Sequence, residues 1–216
     1  MLSMLEEIVL LAVNEQTGEL RSTREFGTAY ALVGAVFFDL ALGKKIDTSE
    51  EEIHIIDTSP TGNAAVDTIL AQLAERRDLK TVRDWIEEIF LSCQDLEGAA
   101  LKSLIDQGIL RHEISKRLWI IDVERFPMVN ERPQQHVKVR LAHAILTDEI
   151  PETRDIMLVA IAENCGLLGY VLSDTQLRNR RERIHALSNV ETISRKVTDA
   201  ILNLDTSVRG SMTKVV

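Results

Sequence analysis

The chain has 216 residues, of which 45% are apolar and only 4% aromatic, with 34 acidic against 25 basic side chains and a net charge of −9. That length and apolar share suffice to bury a substantial core and exclude an intrinsically disordered chain. The acidic balance opposes the uniform attraction to phosphates that nucleic-acid binders use, so a DNA reader of this composition needs a local basic face.

Ser3 with Glu6 forms a capping-box pattern ahead of Leu5, Ile8, Val9 and Ala12, which predicts a short amphipathic helix ending near Asn14 to Gly18. Glu6 and Glu7 inside this apolar stretch, with no basic residues before it, argue against a signal peptide. Ser22 with Glu25 repeats the signature. The helix it opens carries Phe26, Ala29, Tyr30, Val33, Phe37, Leu40 and Ala41, is apolar on most sides until Gly43, and is expected to be the central helix.

Lys44–Asp47 and Glu52–Asp57 alternate with period two and predict a hairpin. Ser59-Pro60-Thr61-Gly62 is turn chemistry, followed by a helix with Val66, Ile69, Leu70 and Leu73 on one stripe. Another helix is expected from Thr81, with Val82, Trp85, Ile86, Ile89 and Phe90 inward.

Ala100 to Val123 then reads as a helix, a glycine stop at Gly108 and a two-stranded hairpin, the layout of a winged-helix unit. The predicted strands are Leu110–Glu113 and Leu118–Val123, joined by Ile114–Arg117. Such a hairpin serves equally as a DNA wing, a membrane-touching finger or a structural edge. As a DNA reader it is disfavoured, because the helix over 95–107 offers Lys102 against Asp95, Glu97 and Asp106. Beyond Pro127 and Pro133, helices are expected over 134–148, 152–165, 167–187 and 190–204, before a frayed tail. The fold class is therefore mostly α: one domain over 1–205 around a central apolar helix, with the winged-helix-like unit, one further small hairpin and a flexible tail over 206–216.

Motif chemistry is sparse. Cys93 and Cys165 have neither the spacing nor the histidine partners of a zinc site or a disulfide framework. His136 and His143 are separated by roughly 10 Å along a helix, too far to share an ion. No GxSxG, P-loop or GxGxxG occurs, and the paired carboxylates Glu6/Glu7, Glu50 to Glu52 and Glu87/Glu88 read as solvated faces. A non-enzyme without metal or cofactor is expected. Basic candidates for an anion or headgroup contact are the run holding Arg178, Arg180, Arg181 and Arg183, the pair Arg21 and Arg24, and the hairpin group Arg111, Lys116 and Arg117. Ile114 and Trp119 supply the apolar partners that an interfacial anchor uses.

Taken in order, LSMLEEIVLLAV (2–13), LVGAVFFDLALGKKI (32–46), SPTGNAAVDTIL (59–70), VRDWIEEI (82–89), ALKSLIDQGIL with LWIIDV (100–110, 118–123) and DIMLVAIAENCGLLGYVL (155–172) resemble the Golgi phosphoprotein 3 family. The absence of a long basic N-terminal extension makes the likeness one to its compact prokaryotic members. The resemblance implies a helical domain whose flat face binds phosphatidylinositol 4-phosphate, a hairpin that assists insertion, and, in eukaryotic members, retention of glycosyltransferases through their cytosolic tails and a vesicle coat. Implied partners are an anionic phospholipid surface, client membrane-protein tails and further copies of the chain, with no nucleic acid; the implied location is cytoplasmic and peripheral to a membrane. A helical interaction scaffold without lipid binding is the alternative. The family's lipid pocket carries a tryptophan and three arginines where this chain has Arg24, Val33, Gln94 and Glu97, so the guanidinium forks that grip the lipid phosphate are missing.

Overall fold

Ser3 begins the first helix, α1 (Met4–Ala12), with both halves of the expected capping box: its hydroxyl accepts from the Glu6 amide at 3.2 Å, and Glu6 Oε2 accepts from the Ser3 amide at 2.7 Å. The computed structural model describes residues 1–21, 27–49, 52–76, 81–91, 95–117 and 121–189. Every residue of α1 is buried, against the expectation of an amphipathic helix. The reason is packing on several sides: α1 lies against α2 (Gly27–Leu42), α5 (Leu96–Asp106), α6 (Arg132–Leu146) and α7 (Thr153–Asn164). In α2 the residues from Ala31 to Phe38 and Leu40 are buried with it, so the core has two central helices rather than one. The second capping-box pattern, at Ser22, lies outside the described residues.

Lys44, at φ +53, ends α2, and the strands β1 (Ile46–Ser49) and β2 (Glu52–Ile55) follow as an antiparallel hairpin pairing Ile46 with Ile55. Asn63 caps α3 (Ala64–Glu75) by accepting from the amides of Ala65 and Val66, and Val66, Ile69, Leu70 and Leu73 form the predicted buried stripe. In α4 (Val82–Leu91), Trp85, Ile86 and Ile89 face inward as expected. Asp95 caps α5, and Gly108 takes φ +69 just beyond its end.

The second hairpin lies farther along the chain than the hydrophobic pattern predicts. Its strands are β3 (Glu113–Arg117) and β4 (Ile121–Arg125), so Ile114–Arg117 is strand and not connector. Ile109 and Leu110 are buried core residues, and their segment is instead zipped to 127–129: the Arg111 amide donates to the Pro127 carbonyl at 3.0 Å, and the Val129 amide to the Ile109 carbonyl at 2.9 Å. The paired ladder therefore starts three residues later. The loop after α1 docks on the same base, with the Phe126 amide donating to the Gly18 carbonyl at 2.6 Å.

α7 is buried from Asp155 to Ala162 and stops at Cys165, itself buried, and Gly166, at φ +73. The single helix expected over 167–187 is three pieces: a 3₁₀ turn (Leu167–Tyr170), α8 (Asp174–Asn179) and α9 (Arg181–Ser188). A capping box between Ser173 and Gln176 starts α8 afresh. Gln134 is fully buried in α6, and its amide donates to the Leu10 and Val13 carbonyls, satisfying the C-terminal end of α1. The helix expected over 190–204 and the tail over 206–216 lie outside the described residues.

Candidate functional site

The β3–β4 ladder fixes which hairpin residues share a face, because directly opposed residues project to the same side. Ile114 opposes Glu124 and Lys116 opposes Asp122, and all four are exposed. Ile114 is 65% accessible, a large apolar side chain presented to solvent. The face is not basic, however: Lys116 stands among Asp122 and Glu124, and Arg111 is paired with Glu113 at 2.8 Å. His112 stacks on Phe126 with ring centroids 5.3 Å apart, bracing the hairpin base. Trp119 lies outside the described residues, and of Arg117 only the backbone is described.

The arginine run divides into two kinds. Arg180 donates to Asp148 Oδ1 at 3.0 Å and to the Leu146 carbonyl at 2.5 Å, and Arg183 donates to the carbonyls of Ala144 and Glu149. Both therefore tie α8 and α9 to the C-terminal end of α6, where unsatisfied carbonyls and the helix dipole favour cations. Arg178 makes one 3.3 Å contact with Thr175, and Arg181 is exposed on the first turn of α9.

The positions that the resemblance assigns to lipid recognition are equally informative. Arg24 and Gln94 lie outside the described residues. Val33 is 2% accessible and belongs to the core, and Glu97 is a half-buried carboxylate on the first turn of α5. Burial, and then the charge of Asp95, push its carboxyl up. Arg21 places its guanidinium 4.1 Å over the Tyr170 ring, joining the segment before α2 to the 3₁₀ turn. On α5, Lys102 is bonded to Asp106 at 2.7 Å.

Sequence reasoning missed a buried polar cluster at the start of α1. Glu6 and Glu7 are not a solvated face: both are buried. Glu6 Oε1 accepts from Ser103 and Gln107 at 2.7 Å each, which joins α1 to the end of α5. Glu7 accepts from Arg140 at 2.7 Å and pairs with Arg154 at 3.2 Å; Arg140 also binds Asp155, and Arg154 stands 3.8 Å from Asp39. Asp39 accepts from the Met4 amide at 2.8 Å and the Leu5 amide at 3.3 Å, so a side chain of α2 caps the first turn of α1. Burial raises the Asp39 carboxyl to about 6, although those two amides and Arg154 pull the other way. Burial also works against the Arg140 guanidinium, but its bonds to Asp155 and Glu7 carry it upward.

Glu6, Asp39 and Arg154 of this cluster line a cleft of about 510 Å³ that is also lined by Lys45, Thr61, Asn63 and Gln107. Lys45 is held by Asp57 and Ser59, and the bonds that Asp57 accepts from Lys45 and Ser59 keep its carboxyl well below the usual range. The one available signal was an acidic pair inside a run with no other polar residue, which leaves those acids no solvent face to occupy. Among the described residues there is no group of three metal-ligating side chains, and no helix is long and apolar enough to cross a membrane.

The sequence segments that carried the resemblance are the ones that build this molecule: the LEE turn of α1, the α2 end at LALGKK, the PTG turn, and the α5–hairpin unit. The chain is 26% identical over 214 aligned residues to Vacuolar protein sorting-associated protein 74 of Eremothecium gossypii, with 83% of this chain and 64% of that protein covered. It thus spans somewhat less than two thirds of that relative's length. The family model described as Golgi phosphoprotein 3 matches residues 4–204, nearly all of the sequence that forms the helical core and both hairpins, and the chain belongs to that family.

Proposed function

We propose that the protein is a non-catalytic adaptor that attaches peripherally to anionic phospholipid membranes through the tip and outer face of the β3–β4 hairpin. The observation that carries this reading is Ile114, apolar and 65% accessible on the outer face near the base of a hairpin whose sequence continues into Leu118, Trp119 and Ile120. Relatives support it: the matched family is that of Golgi phosphoprotein 3, and the fungal relative is named for vacuolar protein sorting. Client tails of membrane proteins are the partners such an adaptor would gather.

The attachment is weak and not specific for phosphatidylinositol 4-phosphate. Val33 is core and Glu97 is acidic where guanidinium forks would be needed to bind the lipid phosphate. The acids Asp122 and Glu124 beside Lys116 further limit attraction to an anionic surface. Those acids favour a second reading, a protein-interaction surface at the same hairpin.

Tryptophan emission separates the two. Trp85 is already buried in the core, so a change on adding vesicles reports on Trp119. Anionic vesicles are expected to shift the emission to the blue in the parent protein and to leave Trp119→Ala unmoved. No shift in the parent protein, or a shift that survives in Trp119→Ala, would leave the membrane reading without its anchor.

A further inference from the structure

Asp39, Arg154, Glu7, Arg140 and Asp155 form one chain of charges linking α2, α7, α1 and α6, and none of the five side chains is more than 18% exposed. Three carboxylates face two guanidiniums, which leaves one surplus negative charge where water is largely excluded. Uncompensated buried charge is costly, and the usual resolution is uptake of a proton.

Among the described residues no other lysine or arginine is paired with these carboxylates, and the cleft is also lined by Met1, the fully exposed residue at the charged chain terminus. From α1, Glu6 adds another buried carboxylate, held by the neutral donors Ser3, Ser103 and Gln107. Lys45, which lines the same cleft, is committed to Asp57 and Ser59. From α7, Arg154 is shared: one nitrogen reaches Glu7 Oε2 at 3.2 Å while the other stays 3.8 Å from Asp39. Asp39 is thus the member with the weakest cationic partner, and it lines the cleft through which a proton would arrive.

We propose that this cluster is a proton-coupled latch in which Asp39 takes one proton from solvent as the medium moves from neutral to mildly acidic. The proton adds to a carboxylate oxygen, and the other oxygen keeps accepting from the first turn of α1. Arg154 is then released to Glu7, leaving two ionised acids against two arginines. Uptake thereby alters the hold of α2 on α1 and removes one negative charge from the cleft lining.

The direction of the pH effect follows from the burial-raised carboxyl. Its value of about 6 in the folded chain lies above the ordinary 3.8, so the folded state binds the proton more tightly than the unfolded one. Stability from this group is fully present below about pH 4 and is lost as pH rises through 6. Asp39→Asn removes that dependence.

The test is a carbon-detected titration of the aspartate carboxyls in the full chain, with Asp39→Asn assigning the resonance. The expected midpoint is about 6, with the Met4 and Leu5 amides moving at the same pH. Glu7→Gln removes one charge that raises the Asp39 carboxyl but leaves the burial that raises it most, so it is expected to lower the Asp39 midpoint modestly and to keep it above 3.8. A parent midpoint at or below about 4, or a titration that leaves both amides unmoved, overturns the proposal whether or not the Glu7 variant folds.

Discussion

Glu7→Ala is expected to destabilise the protein by about 3–5 kcal/mol, because it strips a buried partner from two arginines at once. Glu7 accepts from Arg140 and pairs with Arg154, and all three side chains are at most 18% exposed. The alanine removes the negative charge between them and leaves Arg140 to Asp155, and Arg154 to the more distant Asp39. Glu7→Gln keeps the shape and an acceptor and should cost less, about 1–3 kcal/mol. Urea denaturation at pH 7 reads both values. A loss below about 1 kcal/mol for the alanine would mean that the cluster is wetter and less coupled than its geometry implies.

Gly18→Ala is the second large effect, at about 3 kcal/mol, for a reason outside the core. Gly18 sits at φ +69, and a Cβ there would meet the Pro127 backbone nitrogen at 2.7 Å and the Phe126 carbonyl carbon at 3.1 Å. The left-handed conformation costs an alanine about 1–2 kcal/mol, and forced overpacking adds about 1–3. The neighbouring backbone cannot yield without breaking the 2.6 Å bond from the Phe126 amide to the Gly18 carbonyl. Gly62→Ala is the control: φ is +90 there, but nothing lies within 4 Å of the added carbon. Thermal unfolding should place Gly62→Ala well above Gly18→Ala. Equal losses would show that backbone conformation alone decides.

What the sequence made legible follows from how local each signal is. Capping chemistry is written in neighbouring residues, and so the Ser3 box and the α3 stripe emerged where expected. The Ser173 box was equally local and went unread, because the apolar residues Leu167, Leu168 and Leu172 around it pass for one continuing helix. The hairpin register was misjudged for the opposite reason. Ile109 and Leu110 are apolar for the sake of contacts across the core, and the pattern has no means of telling a strand face from a core anchor. The fate of Glu7 depends on Arg140 and Arg154, more than 130 residues away, and that of Glu6 on Ser103 and Gln107, about 100 residues away, so adjacency in sequence said nothing of their shared burial. Arg180 and Arg183 likewise read as an exposed basic run until the end of α6 is placed beneath them.

Membrane attachment through the hairpin is the central claim, and co-sedimentation with vesicles tests it most directly. Neutral, anionic and phosphatidylinositol 4-phosphate-containing vesicles of matched charge would be compared for the parent protein, Trp119→Ala, and a variant with Arg111, Lys116 and Arg117 neutralised. Each unpaired cation near such a surface is worth about 1 kcal/mol, and with Arg111 held by Glu113 and Lys116 set beside Asp122 and Glu124, neutralising the three weakens binding about 10-fold. The expected result is salt-sensitive pelleting with both charged vesicle types to the same extent, lost in the hairpin variants. Failure of the parent protein to pellet with any vesicle would contradict it.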